Sequence, residues 1–207
     1  MLNKLFKKVL LSCVCILGMA FVTSPVYADS LTTTMFDEGV EHIETVTAEE
    51  YFMAKSEATG IPYSILIKEA EDERHIERSG RATNTVYKKY YKTFTYSKNS
   101  NYKADIGGYF TLKGYGNYYD ITECTSTFTR LSSAPSTCEW VDGRSHYSGL
   151  SASSCTLIGG GRFRQNYSIG VAIPNGFSIG GTGYVYSSDL DMRVTVTAAQ
   201  LKSAQNV

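Results

Sequence analysis

Tyr102–Leu112 reads YKADIGGYFTL. Tyr102, Ala104, Ile106, Gly108, Phe110 and Leu112 fall on one side of an extended chain, and most of the polar residues fall on the other. Alternation with period two predicts a half-buried strand. One polar face also implies water on one side of the sheet, and therefore antiparallel pairing. The same pattern recurs downstream. In RFRQNYSIGVAI, Phe163, Tyr167, Ile169, Val171 and Ile173 share one face, and Arg162, Arg164, Asn166 and Ser168 share the other. Asn175-Gly176 suits a hairpin turn needing positive φ, after which Phe177, Ile179 and Val185 resume the inward side. LDMRVTVT turns Leu190, Met192, Val194 and Val196 inward, and GYGN (114–117) and SSAPS (132–136) supply further turns. About eight short strands at this spacing predict a mainly β chain, an antiparallel sandwich or barrel-like domain over residues 85–197.

Residues 29–84 read differently, as a helical and extended segment. Thr47-Ala48-Glu49-Glu50 forms a capping box. Gly60 is placed to end the helix that follows, and Pro62 can open a second. In YSILIKEAEDERHIER, Ile65, Leu66, Ala70 and Ile76 lie on one face, with Glu69, Asp72, Glu73 and Arg74 more exposed, and Gly80 closes the run.

The segment ATGIPYSILIKEAEDERHIERSG resembles the first active-site helix of lysozyme-like lytic transglycosylases. Gly60, Leu66 and Ala70 align without gaps, and Glu73 falls at the catalytic glutamate. The resemblance spans fewer than 20 residues and implies a peptidoglycan hydrolase with Glu73 as general acid. Arg74 and His75 stand where that family has Ser and Gly, and Glu69 occupies a normally apolar position. A general acid needs its pKa raised by an apolar pocket, and a neighbouring cation acts in the opposite direction.

The chain ends set the compartment. Lys4, Lys7 and Lys8 precede an apolar run from Val9 to Val22, and Val26-Tyr27-Ala28 places small or permissive residues where a signal peptidase cleaves. Residues 1–28 are expected to be a cleaved signal peptide. A lipoprotein cleavage at Cys13 would leave an apolar stretch on the product. The expected destination is therefore secreted or extracellular, with attachment to the cell wall open. The remaining chain carries 17 basic against 20 acidic residues, a net −3. That balance gives no basic footprint for a nucleic acid. No second long apolar run exists to span a membrane, residues 198–207 read as a tail, and the oligomeric state is open.

Loss of the signal removes Cys13 and Cys15 and leaves Cys124, Cys138 and Cys155. Three thiols in an oxidising compartment allow one disulfide. In CEWVDGRSHYSGLSASSC (138–155), Cys138 and Trp140 point the same way on one strand, and Cys155 and Leu157 do so on another. With Asp142-Gly143 opening the connection, the expectation is a Cys138–Cys155 bridge beside Trp140, with Cys124–Cys155 as the alternative. The loop between then offers Trp140, His146 and Tyr147 for binding. Its Asp142, Ser145 and His146 do not make a triad, since adjacent Ser and His on a turn need not face each other.

A further candidate is VYKKYYKTFTY, where Lys88, Lys89 and Lys92 interleave with Tyr87, Tyr90 and Tyr91. With Arg162 and Arg164 it suggests contact with a cell-wall glycan or an anionic polymer. Asp189 and Asp191 share a strand face but lack the oxygen ligands of a calcium site, and Gly159-Gly160-Gly161 opens no helix that would cradle phosphate. No catalytic set, cofactor motif or metal spacing emerges. The expected role is a non-enzymatic extracellular or cell-envelope binding module, with a cell-wall hydrolase using Glu73 as the alternative. A secreted β-rich toxin is a third reading, because TECTSTFTR alternates Ser and Thr, although its apolar residues are too few for a lipid-facing strand.

Overall fold

The computed structural model describes residues 36–77, 84–115, 117–181 and 183–203; the proposed signal peptide lies outside them. The chain is mainly β and forms two antiparallel sheets that do not close into a barrel. The first sheet is a meander of β1 (Phe36–Val46), β2 (Asn84–Tyr96), β3 (Lys103–Tyr115) and β4 (Tyr118–Ser133), in that order. Between β1 and β2 the chain makes α1 (Ala48–Thr59) and α2 (Tyr63–Glu77). The second sheet contains β5 (Cys138–Ser148), β6 (Ser154–Asn166), β7 (Phe177–Gly181), β8 (Tyr184–Ser187) and β9 (Leu190–Thr197), and α3 (Ala198–Ser203) follows. β5 lines one edge of β6. The other edge is shared, with β9 pairing residues 154–161 and β8 pairing residues 164–166.

The alternation in residues 102–112 decides the packing as expected. Tyr102, Ala104, Ile106, Phe110 and Leu112 are all buried in one core with Cys155, Leu157, Phe163, Leu190, Met192, Val194 and Val196 from the second sheet. The chain leaves β3 after Tyr115 and β4 after Ser133, within the two segments expected to hold turns. The segment expected as a tail contributes α3, which buries Leu201 in the same core.

Three expectations need correction. The strand predicted across 162–173 ends at Asn166. Ile169 is fully exposed and Val171 and Ile173 are also outside, so their alternation reflects a surface loop. Asn175-Gly176 does form a turn, with Gly176 at φ 84° and Phe177 N–H donating to the Pro174 carbonyl at 3.0 Å, but it leads into β7 from that loop. Ile179 on β7 is exposed, unlike Val185.

The second correction concerns Asp142-Gly143. Asp142 has φ 55°, and the β5–β6 register shifts between Val141 and Arg144. The pair is therefore a β-bulge inside a strand. The β5–β6 connection lies at 149–153, where Ser151 N–H donates to the Ser154 carbonyl at 2.8 Å.

The third follows from the second. With the turn beyond Ser148, Cys138 pairs across from Gln165 and Cys155 from Val196. Cys155 and Gln165 are ten positions apart on β6, which at about 3.4 Å per position is far beyond disulfide reach. Cys138 and Cys155 cannot bridge in this fold. All three described cysteines are buried free thiols.

Candidate functional site

The helices begin as the sequence predicts. Thr47 Oγ1 accepts from Glu50 N–H at 3.1 Å, and Gly60 closes α1 at φ 72°, a left-handed conformation that glycine adopts without strain. The Glu50 carboxylate faces Lys89 Nζ at 3.9 Å. On α2 the buried stripe is Leu66 with Ile67 and Ala70 packed beside it, whereas Ile65 is exposed. Leu66 and Ala70 stand one helical turn apart, and Ile65 lies off that line.

Both helices lie on the outer face of the first sheet. Tyr51 is the anchor. Its ring stacks on Tyr87 at 4.6 Å between centroids and meets Phe52 and Tyr109 edge-on at 5.3 and 6.5 Å. Its hydroxyl donates to Glu123 Oε2 at 2.9 Å, and Lys55 Nζ holds the other oxygen of that carboxylate at 2.6 Å. Burial, and the adjacent Glu123 charge, push the Tyr51 phenol well above its ordinary pKa.

Helix and sheet do not fill the space between them. A cavity of about 670 Å³ remains, floored by Tyr51, Phe52, Tyr87 and Tyr119 and rimmed by Lys55, Lys113, Glu69, Glu73 and Glu123. Volumes of this size are typical of ligand sites. Glu73 stands at the rim with its side chain 69% exposed and Lys113 Nζ 3.5 Å away. A general acid of that family sits in a largely apolar pocket, and Glu73 is not enclosed by one. Arg74 and His75 belong to α2, but their side chains lie outside the described residues.

β2 divides the Lys/Tyr stripe between two faces. Tyr87, Lys89 and Tyr91 face outward. Tyr87 is under α1, Lys89 is paired with Glu44 at 3.7 Å as well as Glu50, and Tyr91 stacks on His42 at 4.5 Å beneath the Arg130 guanidinium. Lys88 and Tyr90 face the core and are fully buried. Lys88 Nζ donates to Thr45 Oγ1 at 2.7 Å, and burial lowers its pKa. Lys92 Nζ lies 3.5 Å from Glu41. These residues do not form one continuous contact surface.

Trp140 faces inward rather than out on a loop. It meets Phe163 edge-on at 5.0 Å, and its Nε1 donates to Thr129 Oγ1 at 3.2 Å. A Cβ on Gly161 would come within 2.6 Å of the indole, so this glycine provides the room the ring occupies. His146 and Tyr147 are exposed on β5. Arg162 and Arg164 lie on the outer face of the second sheet. Arg162 pairs with Asp142 at 2.5 Å and lies 4.9 Å over Tyr186, and Arg164 pairs with Glu139 and lies 5.1 Å over Tyr184. Tyr91 belongs to the first sheet, so the stripe and the two arginines lie on different sheets.

Asp191 is engaged by Arg144 at 2.6 Å. Among the described residues no group of three or more His, Cys, Asp or Glu is placed to hold a metal, and no helix is long and apolar enough to cross a membrane. The cleft residues Tyr51, Lys55, Tyr119 and Glu123 escaped the sequence reading. Their one local signal was Tyr51, an aromatic residue directly behind the capping box. No family model matches this chain, and no curated protein or solved structure matches it either.

Proposed function

We propose that the protein is a non-enzymatic binding module of the bacterial cell surface, a sandwich-like domain that holds a cell-wall glycan in the cleft between α1–α2 and the first sheet. The observation that supports this reading is the cleft lining: the part-exposed rings of Tyr87 and Tyr119 on the floor and hydrogen-bonding side chains of both signs at the rim. Sugar rings stack on such aromatic faces while hydroxyls bond to the rim. Three rim carboxylates against two lysines disfavour an anionic polymer, the other ligand class left open by the sequence. The surface-exposed role rests on the expected signal peptide.

The test is retention of the full chain on isolated cell wall. Wild type should sediment with the wall, and Tyr119→Ala combined with Lys113→Ala should reduce retention at least tenfold while far-UV circular dichroism stays unchanged. Retention that survives both substitutions overturns the cleft as the site. Release of soluble glycan fragments by wild type but not by Glu73→Gln would replace the binding reading with hydrolysis.

A further inference from the structure

Two strands from different sheets run side by side through the core. Near its start, β4 is tied to the β5–β6 connection by Ile121 N–H donating to the Ala152 carbonyl at 2.9 Å. Further along, Thr129 Oγ1 donates to the Gly160 carbonyl at 3.4 Å. Both pairs are separated by 31 positions, so β4 and β6 advance in the same direction with one fixed offset. Cys124 and Cys155 have that same offset and lie between the two anchors. The sheets approach closely here, and Gly159 makes room for the approach. A Cβ on Gly159 would come within 2.7 Å of Thr129 Cγ2, and one on Gly108 would lie 3.7 Å from Cys124 Sγ and 3.4 Å from Leu157 Cδ2. Face-to-face sheets are ordinarily about 10 Å apart, a gap that cysteine side chains do not span. Both thiols are buried, and they are near enough for each to shift the other's ionisation.

We propose that Cys124 and Cys155 are a modification site, joined on export as a disulfide that links the two sheets, with Cys138 remaining a free thiol. This does not depend on what the cleft binds. The oxidant is a disulfide, carried by an oxidoreductase or a small thiol compound. One cysteine attacks as thiolate, forms a mixed disulfide and releases one thiol of the oxidant. The second cysteine attacks the first cysteine's sulfur and releases the other thiol. Two S–H bonds are lost, one S–S bond forms, and two electrons and two protons pass to the oxidant. The neighbouring Cys124 lowers the Cys155 thiol, while the interaction with Cys155 and burial push Cys124 up, so Cys155 is the first attacker.

The experiment refolds the full chain, without its signal, in glutathione disulfide and counts thiols after denaturation. The expected result is one free thiol, a peptide map joining the Cys124 and Cys155 peptides, and the same linkage in Cys138→Ala. Reductant should lower the thermal midpoint by roughly 6–15 °C, whereas the double variant Cys124→Ala/Cys155→Ala should melt at a temperature that reductant does not alter. Three free thiols in the refolded protein, or a linkage that includes Cys138, would overturn the proposal.

Discussion

The two outer faces of this protein treat their aromatic and charged residues in opposite ways. On the first sheet, Tyr51 and Phe52 come down from a helix onto Tyr87 and Tyr109, and a cavity remains between helices and sheet. On the second sheet, Tyr184 and Tyr186 lie beneath Arg162 and Arg164, whose charges are already met by Asp142 and Glu139. Similar residue types thus line a recess on one side and pair with one another on the other. Composition alone does not distinguish a binding face from a self-paired one; what separates them is whether another element covers the sheet.

The comparison can be broken most severely at Tyr51. Replacing it with Ala removes the ring on which both helices rest and should cost about 3–5 kcal/mol, measured by urea unfolding. A loss under about 1 kcal/mol would mean that the helices are anchored elsewhere. Tyr51→Phe is gentler and should cost about 1–2 kcal/mol through the bond to Glu123. It also carries a pH signature. The folded-state pKa of Tyr51 is raised above the ordinary 10.0, so the folded protein holds this proton more tightly than the unfolded chain. That stability is fully present below pH 10 and is lost as pH rises above it. Thermal midpoints measured above pH 10 should therefore fall less steeply for Tyr51→Phe than for wild type. Equal slopes would remove Tyr51 from alkaline unfolding. The smallest effect belongs to the other face: Arg162→Ala should change stability by less than about 1 kcal/mol, since exposed ion pairs and exposed cation–ring contacts each contribute little. A larger loss would show that the second face is not merely satisfied but structural.

How far the sequence could be read depended on which interactions were local. The inward set of residues 102–112, the turns around 115 and 135, the Thr47 cap and the Gly60 stop all rest on neighbours in the chain, and all are found in the structure. Residues 167–173 mimic a strand by alternation, yet their position depends on β6 ending where β8 and the β5 start leave it, a tertiary matter. Lys88 shows the limit most clearly. On β2 both parities carry a tyrosine and a lysine, so alternation cannot say which lysine is buried. The cysteine pairing failed for a different reason. Strand parity placed Cys138 with Trp140 and Cys155 with Leu157 on the core side, but one bulge at Asp142-Gly143 extended the hairpin and moved its turn to 149–153. Direction is legible from residues; register depends on where the turn sits. The cleft was least legible because its members come from two helices and three strands.

β9 pairs with β6 from Ser154 to Gly161 and sets Val196 opposite Cys155. The strand that covers one edge of the central cysteine strand is therefore the last one in the chain. Synthesis runs from the N-terminus, so β1 to β8 precede residues 190–197, and the edge of β6 beside Cys155 has no partner strand until β9 is made. For the disulfide proposed above, the order of the chain therefore puts the oxidant's access to Cys155 before the docking of β9.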